Sequence, residues 1–195
     1  LGGGSDKFAE NNLSHSYPIA GGFVHTSDSE DAKVLILSRA SQNLSDKATF
    51  ELFTPESLEK IYAQQISVFP TEQPEISSFH HHVVRGTQGP SGTCRMIEFD
   101  ANTQEAHYRS IPISVNGLAS DTCEFTIDAF TESGRLAVCD AQSRQCVVSH
   151  QSLSHTYFED LTFGAPFQFS DPITGIATLG EKVFVASNGK IFEAR

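Results

Sequence analysis

The 195-residue chain has no tryptophan, one methionine and no apolar run near the roughly 18 residues that cross a bilayer as a helix, which excludes a membrane-spanning helix. Basic residues are scarce, with 13 Lys and Arg against 24 Asp and Glu and a formal net charge of -11. Such a field repels polyphosphate and no basic cluster interrupts it, so nucleic acid and anionic membrane surfaces are poor partners. Long Ala-, Leu-, Glu- and Lys-rich windows with a 3.6-residue period are nearly absent, which argues against a helical fold. Also missing are Gly-x-Ser-x-Gly, His-Glu-x-x-His, Cys-x-x-Cys and a glycine-rich phosphate loop, so no familiar nucleophile, zinc or nucleotide motif is present.

What the chain does have is 15 phenylalanines, with Val, Ile, Thr and Ser in short runs cut by Gly, Pro, Asn and Asp. That usage is the signature of an all-β protein. A hydrophobic fraction of 38% and a mean hydropathy of -0.22 describe a folded chain rather than a disordered one. Residues 1–16 are rich in Gly, Ser, Asn and Asp and read as a flexible lead-in, and residues 17–195 as a single all-β domain. The chain begins Leu1-Gly2-Gly3-Gly4-Ser5, which reads as a processed product. Four cysteines, an even set, occur with sequons at Asn12 and Asn43. Together with low lysine content they point to a secreted or extracellular protein.

One turn pattern recurs. An apolar strand ends in Thr or Asp, with Ser or Thr three residues on and Glu or Gln two later: Thr54-Pro55-Glu56-Ser57-Leu58-Glu59, Asp100-Ala101-Asn102-Thr103-Gln104-Glu105 and Asp140-Ala141-Gln142-Ser143-Arg144-Gln145. A fourth hairpin turns on Asn188-Gly189, which accepts positive φ. An Asp or Thr corner bonds the backbone two residues on, so each segment joins antiparallel strands. The strand ends Phe53, Phe99, Cys139 and Val185 are 46, 40 and 46 residues apart. In this spacing the chain resembles the β-propeller superfamily, which repeats with one four-stranded blade per period, although it carries no Trp-Asp dipeptide or kelch double glycine. The resemblance implies about four antiparallel units. First strands are expected at residues 33–38, 76–85, 123–130 and 173–179, and fourth strands at 66–69, 108–115 and within 157–169. Tyr17–Thr26 is expected to close the ring by pairing with Lys190–Glu193. A β-sandwich is the main alternative, a mixed α/β fold a lesser one, and half of a larger ring a further one.

Cys139 and Cys146 flank the third turn symmetrically and are expected to form a cross-strand disulfide, leaving Cys94 and Cys123 to pair by elimination. His80-His81-His82 is the most unusual local run. On a continuous strand His80 and His82 would share a face and begin a site for a metal ion; the plainer reading is surface histidines and no cofactor. Arg85–Thr93 reads as a glycine-rich connector or binding loop, Asp28–Asp31 as a solvated turn, and Phe163, Phe167 and Phe169 as core. The expected function is a noncatalytic extracellular binding, adhesion or assembly module that meets a protein or glycan partner or a second copy of itself. The alternative is a secreted hydrolase or lyase using His80, His82 and an acid such as Asp100 or Asp128.

Overall fold

The computed structural model describes residues 17–26, 29–39, 47–67, 77–88, 94–113, 125–141 and 143–194. Residues 1–16 with Asn12, as well as Asn43 and Cys123, lie outside the described residues.

Four antiparallel sheets follow one another along the chain, each a meander of consecutive strands. The first comprises β1 (Tyr17–Thr26), β2 (Ser29–Arg39), β3 (Lys47–Phe53) and β4 (Lys60–Ser67). The second comprises β5 (Ser77–Phe79), β6 (His82–Gln88), β7 (Cys94–Asp100) and β8 (Glu105–Ser110). The third comprises β9 (Phe125–Phe130), β10 (Arg135–Asp140), β11 (Gln145–Ser152) and the two-residue β12 (Phe167–Gln168). The fourth has three strands, β13 (Ile173–Leu179), β14 (Lys182–Ser187) and β15 (Lys190–Ala194). A 3-10 turn spans Phe158–Asp160.

The recurrent turns form as their chemistry dictates. Asp100 Oδ1 accepts the Asn102 N–H at 2.8 Å, and Asp140 Oδ2 accepts the Ser143 N–H at 2.8 Å. In the first sheet Thr54 Oγ1 lies 2.6 Å from Ser57 Oγ and accepts the Glu59 N–H at 3.1 Å. In all three the residue four past the corner takes positive φ: Leu58 at 51°, Gln104 at 61° and Arg144 at 57°. That left-handed residue reverses the chain into the next strand. Asn188 and Gly189, at 48° and 68°, form the fourth reversal, a two-residue turn with both central residues left-handed.

The sheets stack face to face in chain order. One apolar cluster joins the first and second sheets through Leu35, Phe50 and Leu52 against Val83, Ile97 and Phe99. Another joins the second and third through Val84 and Met96 against Leu136, Val138 and Val147. A further one joins the third and fourth through Ala137, Cys139 and Cys146 against Ile173, Val183 and Val185. Neighbours along one strand thus enter different cores: Val83 and Val84, or Met96 and Ile97, point to opposite faces because side chains alternate with period two. A sandwich covers one face of each sheet, whereas here both middle sheets are covered on both faces, which removes the sandwich reading. First strands also meet in series, β1 against β5, β5 against β9 and β9 against β13. The architecture is all-β and propeller-like, with four blade units.

Three expectations are corrected. Tyr17–Thr26 pairs with β2, Tyr17 opposite Arg39 and Phe23 opposite Val34, and not with Lys190–Glu193, so it does not close a ring. The first two sheets begin one strand earlier than the period suggested, and residues 66–67 and 108–110 merely end the strands that follow the Thr54 and Asp100 turns. Ile76–Arg85 is not one strand but two, β5 and β6, reversed at His80-His81.

Candidate functional site

Pleating and register place a group of imidazoles and carboxylates at one end of the second sheet. His82 on β6 stands opposite Asp100 on β7, and Asp100 opposite Glu105 on β8; one step along, Glu98 stands opposite His107. Glu98 and Asp100 share a face with period two, as do Glu105 and His107. The same face continues into Val84 and Met96 of the cluster packed on the third sheet. The 3-10 turn therefore covers its outer end and adds Glu159.

The contacts are specific. The Nδ1–H of His82 donates to Glu98 Oε1 in a close pair, and both side chains are buried. His107 Nδ1 pairs closely with Glu159 Oε1, and its Nε2 lies 3.9 Å from Glu105 Oε2. His81 Nε2 lies 3.9 Å from Asp100 Oδ1, and its ring sits over the His82 ring at 3.9 Å between centroids. Burial, followed by the neighbouring His82 imidazole, holds the His81 pKa below the usual histidine value of 6.5, with Asp100 opposing and His80 adding to the depression. Desolvation and like charge both disfavour the imidazolium.

The turn carrying His81 has neither Asn nor Gly, and His80 adopts φ 50°. Tertiary bonds hold it: His80 C=O accepts the His25 N–H at 3.1 Å, and His81 C=O accepts the Ala101 N–H at 2.9 Å. His81 and His82 border a cavity of about 310 Å³ lined also by His25, Phe79 and Ser154. His82, Glu98, Asp100 and His107 border a neighbouring cavity of about 450 Å³ under Tyr157 and Glu159.

Of the residues the sequence singled out, His82 and Asp100 are in this group. His80 is not on a shared strand face with His82; it is an exposed turn residue in edge contact with Phe79, 4.3 Å between centroids. The side chain of Asp128 lies outside the described residues. Cys139 and Cys146 stand opposite each other and form a disulfide. Cys94 is also disulfide-bonded. Phe163 and Phe169 are partly buried against the second-to-third and third-to-fourth sheet clusters. Sequence reasoning missed His81, Glu98, His107 and Glu159. Period two counted from Asp100 and Glu105 finds Glu98 and His107, whereas nothing local foretells Glu159.

A second feature is the outer edge of the fourth sheet. β15 carries Ile191 at 76% and Phe192 at 42% exposure, with Phe192 in edge contact with Phe169 at 5.5 Å. Among the described residues no strand pairs with its outer side.

Fold and site define the class: an all-β, propeller-like protein with a histidine and carboxylate group between its second and third sheets. No family model and no curated protein matches the chain. Among solved structures it is similar to BamB from Moraxella catarrhalis, at 11% identity and a TM-score of 0.49, over 83% of this chain and 40% of that one. It is similar also to a luciferin-regenerating enzyme, at 12% identity and a TM-score of 0.48, over 88% of this chain and 57% of that one. The chain thus spans less than two thirds of the length of either.

Proposed function

We propose that the protein is a noncatalytic extracellular binding and assembly module, with β15 as its assembly edge and its hairpin loops turned toward a protein or glycan partner. The observation that carries this reading is the edge itself. Edge strands are ordinarily blunted by charge, shortness or irregularity. β8 carries Glu105 and Arg109, β12 is two residues long, and β4 carries Lys60 and pairs through a register shift; β15 is also charged, at Lys190 and Glu193, but its two adjacent central residues, Ile191 and Phe192, are both apolar and exposed.

A second copy can add to the edge by a two-fold antiparallel pairing centred on Ile191, which sets Ile191 against Ile191 and the Lys190 stem against Phe192, because opposed residues share a face. The buried Cys139–Cys146 bridge supports an oxidising compartment. Sedimentation velocity across the micromolar range tests the reading. Reversible association of the wild type that Ile191→Lys with Phe192→Lys abolishes is expected, and a monomeric wild type at all concentrations overturns it. For protein made in a eukaryotic secretory pathway, peptide mapping is expected to find glycan at Asn43 and Asn12; unmodified peptides at both remove the glycoprotein part.

The second reading, a secreted metal-dependent hydrolase or lyase, draws on the His82, Glu98 and Asp100 group beside the cavity of about 450 Å³. Turnover in a screen of ester, phosphoester and glycoside substrates, lost on stripping metal, would favour it over the noncatalytic module.

A further inference from the structure

We propose that His81, His82 and Asp100 form a three-ligand site for one divalent cation of the zinc class, with a fourth position open to water. One donor atom from each of the three lies within 4.8 Å of the others. Two imidazoles with one carboxylate suit zinc, cobalt, nickel or copper, and not calcium or magnesium, which take shells dominated by oxygen.

The donors are arranged in advance. The Nδ1–H of His82 is committed to Glu98, which fixes the ring and leaves Nε2 as the ligating nitrogen. A carboxylate behind a histidine in this way orients it and raises its basicity as a ligand. Asp100 is held by the Asn102 N–H at 2.8 Å and the Thr103 N–H at 3.3 Å, so its carboxylate direction is set by the turn it makes. His81 is presented by a reversal clamped by His25 and Ala101. Metal–ligand bonds of about 2.0–2.2 Å in a tetrahedron place donors roughly 3.3–3.5 Å apart, so the group contracts by about 1 Å on binding. His81 supplies the movement, because its side chain is 29% exposed at a turn while His82 is fixed by Glu98. The cavities on either side admit a water to the remaining position.

Isothermal titration of the intact protein with zinc chloride tests the site, with cobalt absorption as a second readout. The wild type is expected to bind one ion per chain and to give the visible bands of four-coordinate cobalt. His81→Ala and Asp100→Asn are each expected to weaken binding by about tenfold or more. Asp100→Asn retains an oxygen for the Asn102 and Thr103 amides, and His81→Ala alters a half-exposed turn, so both should melt as the wild type does without metal. His80→Ala and His107→Ala, neighbours outside the ligand set, should leave affinity unchanged. Absence of stoichiometric binding in the wild type, wild-type affinity in His81→Ala, or equal loss in His80→Ala overturns the assignment. If Asp100→Asn fails to fold, the comparison of His81→Ala with His80→Ala still decides it.

Discussion

Alanine at Gly134 is expected to be far more damaging than alanine at Gly189, although both glycines close hairpin turns at positive φ. Gly134 sits at φ 88° and Gly189 at φ 68°. Either substitution forces an L residue into the left-handed region, at about 1–2 kcal/mol. At Gly189 a Cβ meets nothing within 4 Å, so that cost stands alone. At Gly134 a Cβ would lie 2.3 Å from Phe79 Cε1 and 2.5 Å from Cζ. Phe79 cannot swing freely away, since its ring packs on Phe130 at 5.5 Å and on His80 at 4.3 Å. Overpacking of this kind adds about 1–3 kcal/mol. Gly134→Ala should therefore be less stable than Gly189→Ala by about 2 kcal/mol, or roughly 4–8 °C in Tm for a chain of this size. Calorimetry on both variants, with urea midpoints alongside, measures the difference. Equal losses would mean that the third-sheet turn does not press on the second sheet through Phe79, and would refute the packing described between them.

Three further outcomes are expected. Replacing Cys139 and Cys146 together by alanine should cost about 2.5 kcal/mol by chain entropy for a loop with a sequence separation of 7, and a urea midpoint unmoved by mutation or reductant would contradict it. Glu51 is wholly buried, 3.0 Å from Ser38 Oγ and 2.6 Å from Lys60 Nζ; Lys60→Met should cost about 3 kcal/mol by removing the cation beside a buried carboxylate, and adding Glu51→Gln should restore part of it, so a double variant no better than the single refutes the pairing. Hydrogen bonds from Ser133, chiefly from its hydroxyl, hold the Glu181 pKa below its ordinary 4.5. A depressed folded pKa means that this contribution is present above the ordinary carboxylate pKa and is lost as pH falls through the folded one. Ser133→Ala should move the Glu181 titration upward by NMR, and an unchanged titration would dissociate the two.

The corner residues Thr54, Asp100 and Asp140 were legible because a turn is decided within six residues, by a side chain bonding the backbone next to it. For the same reason Ile173–Leu179 is found where the alternation puts it. The Cys139–Cys146 bridge follows from hairpin symmetry, again a local property. Partner choice between strands is different. Tyr17–Thr26 can satisfy its backbone against any open edge, and the apolar cluster that Val24 enters together with Leu35, Leu37 and the second sheet is invisible before the sheets stack. The His80-His81 reversal was unreadable because the run offers no Gly, Asn or Asp corner to mark a turn; bonds from His25 and Ala101, at other points in the chain, hold it. The site shares this divide: Asp100 announces itself through its turn, but its meeting with His81, and that of His107 with Glu159, depend on what the neighbouring elements cover.

The meander order of the sheets bears on how the chain acquires its shape during synthesis. Among the described residues every strand pairs with the strand before or after it, so a blade needs no residue from a later one to complete its ladder, and units emerging from the ribosome in sequence can fold in sequence. Oxidation gains the same simplicity. Four thiols allow three pairings, and a hairpin that brings Cys139 against Cys146 across a separation of 7 removes two thiols from the problem as soon as β11 is released. Of the three pairings only one then remains, so oxidation of the nascent chain meets a single disulfide choice rather than a search.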